Sequence, residues 1–184
     1  MRGGAAIEEI DRFFAGTGRV HRTMRAVVRA LTEKQLKYAV AGGMAMLAHG
    51  FLQTTGSLDV LVRAEEIEAV QSTLDGLGKL DAPVSLLVSQ QYPGDGKPKP
   101  VAFPDPADVA VEIDGIKYVD LRSLIELKLA SGISHPGRVK DLADVQDLIR
   151  NLKLPRNFGE RLNVYVRGKF DELHQGVEPD QDSD

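Results

Sequence analysis

The residues best suited to chemistry gather in one stretch, AGGMAMLAHGFLQTTGSLDVL at 41–61. It holds the pair Gly42-Gly43, the hydroxyls of Thr55 and Ser57, and a single acid, Asp59. Adjacent glycines let a backbone turn tightly and come close to a ligand, and amides at the start of a following helix can point at phosphate oxygens. Asp59 supplies a carboxylate on a predicted strand, a candidate for holding a metal. Further along, Lys97 and Lys99 sit in the loop PGDGKPKP, where ammonium groups beside flexible glycines can reach a nucleotide or RNA phosphate. With no cysteine and four scattered histidines, a metal here must be held by oxygen, which favours magnesium or manganese.

The elements that must position these groups can be read from periodicity. Apolar residues from Ile7 to Leu36 recur at helical spacing, with an interruption near 16–18, so one or two amphipathic helices come first. Lys37–Ala41 reads as a short strand that Gly42-Gly43 turns into the helix Met44–His49, ended by Gly50. Leu58–Val62 and Val84–Val88 read as strands, with a helix at Ala64–Leu77 between them. The segment YPGDGKPKPVAFPDPAD, 92–108, holds five of the nine prolines and is expected to be a long structured loop. Val109–Ile113 and Ile116–Val119 flank Asp114-Gly115, the signature of a hairpin. Helices are expected at Leu121–Ser131 beneath an Asp120 cap, at Val139–Leu152, and over Leu154–Leu173.

A chain of 184 residues is long enough for one domain with a real core. Its formal charge of −4 argues against bulk binding to DNA. The start, MRGGAAIEEIDRFF, has no continuous apolar core, and no stretch approaches the roughly 18 uninterrupted apolar residues of a spanning helix. A soluble cytoplasmic protein without a membrane partner is expected.

Strand, Gly-Gly, helix, then a strand with an acid two residues after another polar position: in this order residues 41–60 resemble the nucleotidyltransferase pattern of Gly, Gly or Ser, about a dozen residues, then Asp-hydrophobic-Asp. HGFLQTTGSLDVLV is similar to the family's His-Gly-aromatic-x-Arg-x-Thr-x-Asp-hydrophobic-Asp segment. Downstream, YPGDGKPKPVAFPDP, LIELKLASG and GRVKDLADVQDLI resemble small bacterial nucleotidyltransferase-like proteins related to the AbiEii toxin family. The resemblance covers most of 38–150. It implies an α/β (α+β) nucleotidyltransferase fold, a mixed β-sheet flanked by helices with a helical C-terminal part. The expected organisation is an N-terminal helical segment at 1–36, a core at 37–153, a C-terminal helix at 154–176 and a disordered acidic tail at 177–184.

In that family three strand acids hold two magnesium ions, which clamp the attacking and leaving oxygens of a nucleotidyl transfer from a nucleoside triphosphate. Carried over by position, the acids fall on Ser57, Asp59 and Ser85, the family's Arg falls on Gln53, and its Thr is matched by Thr55. Two carboxylates have become hydroxyls, which are weaker magnesium ligands. Metal stabilisation of a transition state is worth several kcal/mol, and each ~1.4 kcal/mol is tenfold in rate, so several orders of magnitude are at stake. The expected function is therefore a catalytically weakened or inactive relative, a pseudoenzyme. Its nucleotide or phosphate-bearing ligand is expected to contact Gly42, Gly43, Thr55, Ser57, Ser85 and Lys97. One alternative is an active enzyme in which Glu112, in the strand pattern Val-Glu-Ile, lies beside Asp59 and restores a catalytic acid pair. Another is a toxin–antitoxin type interaction protein with a protein partner. His49 is expected to pack or cap, Lys128 and Lys140-Asp141 to form structural ion pairs between helices, and His135 and Arg138 have no assigned role.

Overall fold

The computed structural model describes residues 2–177, so the expected acidic tail lies, from 178 on, outside the described residues. Two helices open the chain, α1 (Arg2–Phe14) and α2 (Arg19–Glu33). The second buries Val20, Met24, Val27, Val28 and Leu31 at helical spacing, so one face joins the core.

The sheet has five strands: β1 (Tyr38–Ala41), β2 (Leu58–Val62), β3 (Val84–Val88), β4 (Ala110–Ile113) and β5 (Ile116–Val119), in the order β3-β2-β1-β5-β4. β1 runs antiparallel to β2 and parallel to β5, β2 runs parallel to β3, and β4 pairs antiparallel with β5. All four residues of β1 are buried, as a central strand covered on both faces requires. The β4–β5 turn places Asp114 and Gly115 at φ 50° and 77°, the left-handed pair that a two-residue hairpin needs.

Helix α3 (Gly42–Ala48) leaves β1 directly. The helix expected from Ala64 begins instead with a 3-10 turn at Ala64–Glu66, its first amide held by Ser89 Oγ at 2.9 Å, before α4 (Ile67–Asp75). The long loop ends in a single turn, α5 (Pro106–Val109), where Asp105 accepts from the Ala107 amide. Helix α6 (Leu121–Ser134) starts under Asp120, which accepts from the Ser123 amide at 2.8 Å, and α7 (Val139–Leu152) packs against it. The last expected helix is broken: Arg156–Arg161 forms a 3-10 segment and α8 (Val164–Gln175) starts afresh at the Asn163 cap. Pro155 and the buried Phe158 and Leu162 explain the break, because together they turn the chain into the core before α8. Among the described residues no helix is long and apolar enough to cross a membrane.

Lys99 organises the 92–108 loop from inside. Its ammonium donates to the Pro93 carbonyl (2.8 Å), the Lys97 carbonyl (2.6 Å) and Asp95 Oδ1 (2.7 Å), and sits 5.5 Å from the centre of the Tyr92 ring. With its side chain 6% exposed, it is a strut of the loop and not a free cation for phosphate. Lys99→Met leaves three acceptors without their donor, at a cost of about 1–3 kcal/mol. Native-state proteolysis followed by mass spectrometry is expected to show faster cleavage within 93–99, and an unchanged cleavage rate refutes the strut.

Candidate ligand cleft

The local geometry is set where β1 ends. Register places Asp59 of β2 between Ala41 of β1 and Ser85 of β3, so the chain turns into Gly42 directly beside the carboxylate. Gly42 takes φ +58°, and a Cβ there would overlap the Asp59 carboxylate. A Cβ on Gly43 would lie 2.7 Å from Thr55 Cβ. The glycine pair is thus a close approach of backbone to Asp59 and Thr55 as much as a turn. Thr55 Oγ1 donates to the Ser57 carbonyl at 3.2 Å, bracing the entry to β2. Gly42, Gly43, Thr55, Ser57, Asp59 and Ser85 line one cleft of about 690 Å³.

The facing wall comes from α6, α7 and the turn between them. Lys128 Nζ lies 2.7 Å from Asp144 Oδ2 and 3.3 Å from Asp141 Oδ1, and all three residues are buried. Ser131 Oγ donates to Asp141 Oδ2 (2.7 Å), as does Arg138 Nε (2.8 Å), and Lys140 Nζ donates to Asp144 Oδ1 (2.7 Å). Lys128 and Ser131 are three apart on α6, and Asp141 and Asp144 three apart on α7, so each pair shares a helix face. All six of these residues line the same cleft.

The two walls act on each other electrostatically. Burial pushes the Asp59 carboxyl up, and Asp141 adds to this; Lys128, Arg138 and the Ser85 hydroxyl pull the other way without reversing it. Burial also raises Asp141, but Lys128, the Ser131 hydroxyl and Arg138 outweigh it and hold the group below the ordinary carboxylate range.

Glu112 lies elsewhere. It is exposed on β4, paired with Lys117, and β1 and β5 stand between its strand and β2, about 14 Å at normal strand spacing. The acid pair expected of Asp59 and Glu112 therefore does not form; adjacent numbering in the hairpin said nothing about which strand β2 would pair with. Lys97 is exposed, is not among the residues lining the cleft, and its own amide is turned to Asp95 Oδ1. Pro93 and Phe103 are the loop residues that reach the cleft, together with Gly94. His49 packs as expected, its Nε2 2.8 Å from the Val119 carbonyl. Sequence reading passed over Arg138 and treated Lys128 as structural; the three-residue spacings 128/131 and 141/144 gave each helix a polar face, but not that the two faces meet.

The donors present do not suit a magnesium or manganese ion. At positions 57, 59 and 85 there is one carboxylate, and Asp141 and Asp144 are already engaged by cations. Among the described residues no cluster of three or more acids or histidines could hold a metal. A cation that gives up its water reluctantly needs more negative charge than this.

No family model and no curated protein matches the sequence. The structure is similar to that of ANT(2")-Ia in complex with adenylyl-2"-tobramycin, with a TM-score of 0.52 and 12% identity over 84% of this chain and 96% of that one. It is also similar to JHP933 from Helicobacter pylori, with a TM-score of 0.49 and 14% identity over 86% of this chain and 90% of that one. The five-stranded mixed sheet, its flanking helices and the likeness to ANT(2")-Ia establish the expected α/β nucleotidyltransferase fold.

Two outcomes follow from the cleft. Gly42→Ala is expected to lower stability by about 1–3 kcal/mol in urea denaturation, and adding Asp59→Gly to recover part of that loss, with a coupling of at least about 0.5 kcal/mol. Strict additivity contradicts the close approach. Because the folded state raises Asp59 above 3.8, it holds that proton more tightly than the unfolded chain does, and ionisation opposes folding increasingly as pH climbs through the raised value. Asp59→Asn is accordingly expected to melt higher than the parent at neutral pH, with the gap closing below 3.8. Melting curves across that range decide it.

Proposed function

We propose that the protein binds a nucleotide or another phosphate-bearing ligand in this cleft and that metal-dependent nucleotidyl transfer is weakened or lost. One observation carries the reading: the glycine turn and the cations of the α6–α7 turn line a single cleft in which Asp59 alone remains of the three expected acids. Arg138 and Lys140, with side chains 58% and 76% exposed, are tied to Asp141 and Asp144 by ion pairs of the kind worth about 0–1 kcal/mol. A phosphate can take over their donors cheaply, and Arg138 offers the flat fork that suits a phosphate oxygen pair. Lys128, enclosed between two carboxylates, stays in place and offsets part of their charge, so that with Arg138 and Lys140 the cations of this wall outnumber its two carboxylates. The backbone at Gly42-Gly43 adds the amides that open α3 on the wall of the same cleft. That the same fold holds an adenylyl compound in ANT(2")-Ia supports this reading.

The test is calorimetric titration with ATP, CTP, GTP and UTP in EDTA. At least one is expected to bind without a divalent metal, about tenfold more weakly to Arg138→Glu. No binding of any of them at millimolar concentration refutes the proposal. In parallel, labelled nucleotides with magnesium and cell lysate are expected to give no transfer above the blank; strong transfer abolished by Asp59→Ala establishes an active enzyme instead.

A further inference from the structure

One side of the sheet ends in an uncharged strand. β3 pairs with β2 alone, and its sequence Val84-Ser85-Leu86-Leu87-Val88 holds neither a charge nor a proline. The Leu58 amide donates to the Pro83 carbonyl and the Ser89 amide to the Val62 carbonyl, both at 2.9 Å, which fixes the phase of the parallel ladder. In that phase Ser85 and Leu87 turn their amides and carbonyls toward β2, and Val84, Leu86 and Val88 turn theirs outward. Among the described residues these outward groups take one hydrogen bond, from the Gln91 amide to the Val88 carbonyl at 3.1 Å, an oxygen that keeps a second lone pair.

The opposite edge is built differently. β4 carries Glu112 with Lys117 across from it, and a charge on an edge strand deters another strand from adding to it. β3 has no such device among its five residues, and Val84, Leu86 and Val88 are only half-buried. Such an edge is a template for one more strand.

We propose that β3 pairs antiparallel with β3 of a second copy of this chain, about a two-fold axis at Leu86. The three outward residues are spaced evenly about Leu86, so in this register Leu86 meets its own counterpart and Val84 meets Val88 in both directions. About six main-chain hydrogen bonds form, and no outward group is left over. A slip of one residue sets outward groups against residues already bonded to β2, and a slip of two gives up a pair. Side chains agree with the backbone: Leu86 on Leu86 and Val84 on Val88 are apolar cross-strand pairs on the face turned away from the cleft. It is this complementarity of the strand with itself that selects a second copy over a foreign peptide.

The pairing bears on the cleft, because Ser85 and Leu87 line it. Both copies present their clefts on the same face of the joined sheet, and Leu87 of the second copy comes opposite Ser85, about 4.5 Å away between Cα atoms. Each cleft thereby gains an apolar neighbour from the other copy. A five-residue edge buries less than the ~800 Å² per partner of a standard interface, so the dimer is a micromolar one.

Sedimentation velocity of the full chain tests the pairing. Wild type is expected to pass from monomer to dimer between about 1 and 100 μM. Leu86→Lys and Leu86→Glu are each expected to weaken association at least about tenfold, and an equimolar mixture of the two to recover it, because position 86 meets itself across the axis. Val111→Lys on β4 is expected to leave the dimer unchanged, and thermal melting checks that each variant folds. Since Leu86 also rests on the core, Leu86→Cys gives an independent reading: in a chain with no other cysteine it is expected to form a disulfide-linked dimer on mild oxidation. A monomer at every concentration, a dimer untouched by both charged substitutions, folded charged variants that do not recover on mixing, or no cross-link from Leu86→Cys overturns the proposal.

Discussion

The Asp59 carboxylate occupies the space that a side chain on Gly42 would need. From that contact the rest of the cleft follows. It holds the start of α3 against β2 and draws the Asp59 carboxyl out of water. The neighbouring contact of Gly43 with Thr55 repeats the constraint one residue on, so the segment before β2 and the segment after β1 are locked face to face. A glycine pair at this place is explained by packing even before any ligand is considered.

Opposite this contact stands a buried group of alternating charges. Removing Lys128 leaves the buried Asp141 and Asp144 with only their more exposed partners Arg138 and Lys140, a loss bounded by the about 3–5 kcal/mol of a fully uncompensated buried charge. The network therefore fixes how α7 lies on α6 and, through that, how far Arg138 and Lys140 stand from the glycine turn. In the proposed binding mode structure and ligand chemistry draw on the same residues: the enclosed lysine holds the wall, and the exposed cations at its rim exchange a carboxylate for a phosphate. Charge balance across the cleft also eases the burial of Asp59, since Lys128 and Arg138 partly offset its cost.

Much of this was legible in the residues. Periodicity located the central strands, the Asp-Gly hairpin and the helices at 121 and 139, and the spacing of the glycines, Ser57 and Asp59 pointed to the fold that the likeness to ANT(2")-Ia supports. Local signals failed where tertiary contacts decide. The Ala64 helix begins as a 3-10 turn whose first amide is capped by Ser89, a residue that only the fold brings there, and the last helix breaks because Phe158 and Leu162 are drawn into the core. Lys97 and Lys99 look alike in the loop, yet one is exposed and the other is enclosed by three acceptors from its own loop.

By itself the sequence determined the repertoire: a glycine turn, a strand acid at Asp59, hydroxyls at Ser57 and Ser85, and no cysteine for another kind of metal site. These depend on residue type and on near-neighbour spacing, which a chain carries with it in any conformation. Only the tertiary structure decided which groups meet. Strand order put two strands between Glu112 and Asp59, and the packing of α6 on α7 brought Lys128, Arg138, Asp141 and Asp144 to the same cleft. Pairing between strands and between helix faces is a long-range choice governed by how the whole apolar surface is buried, and no local spacing encodes it.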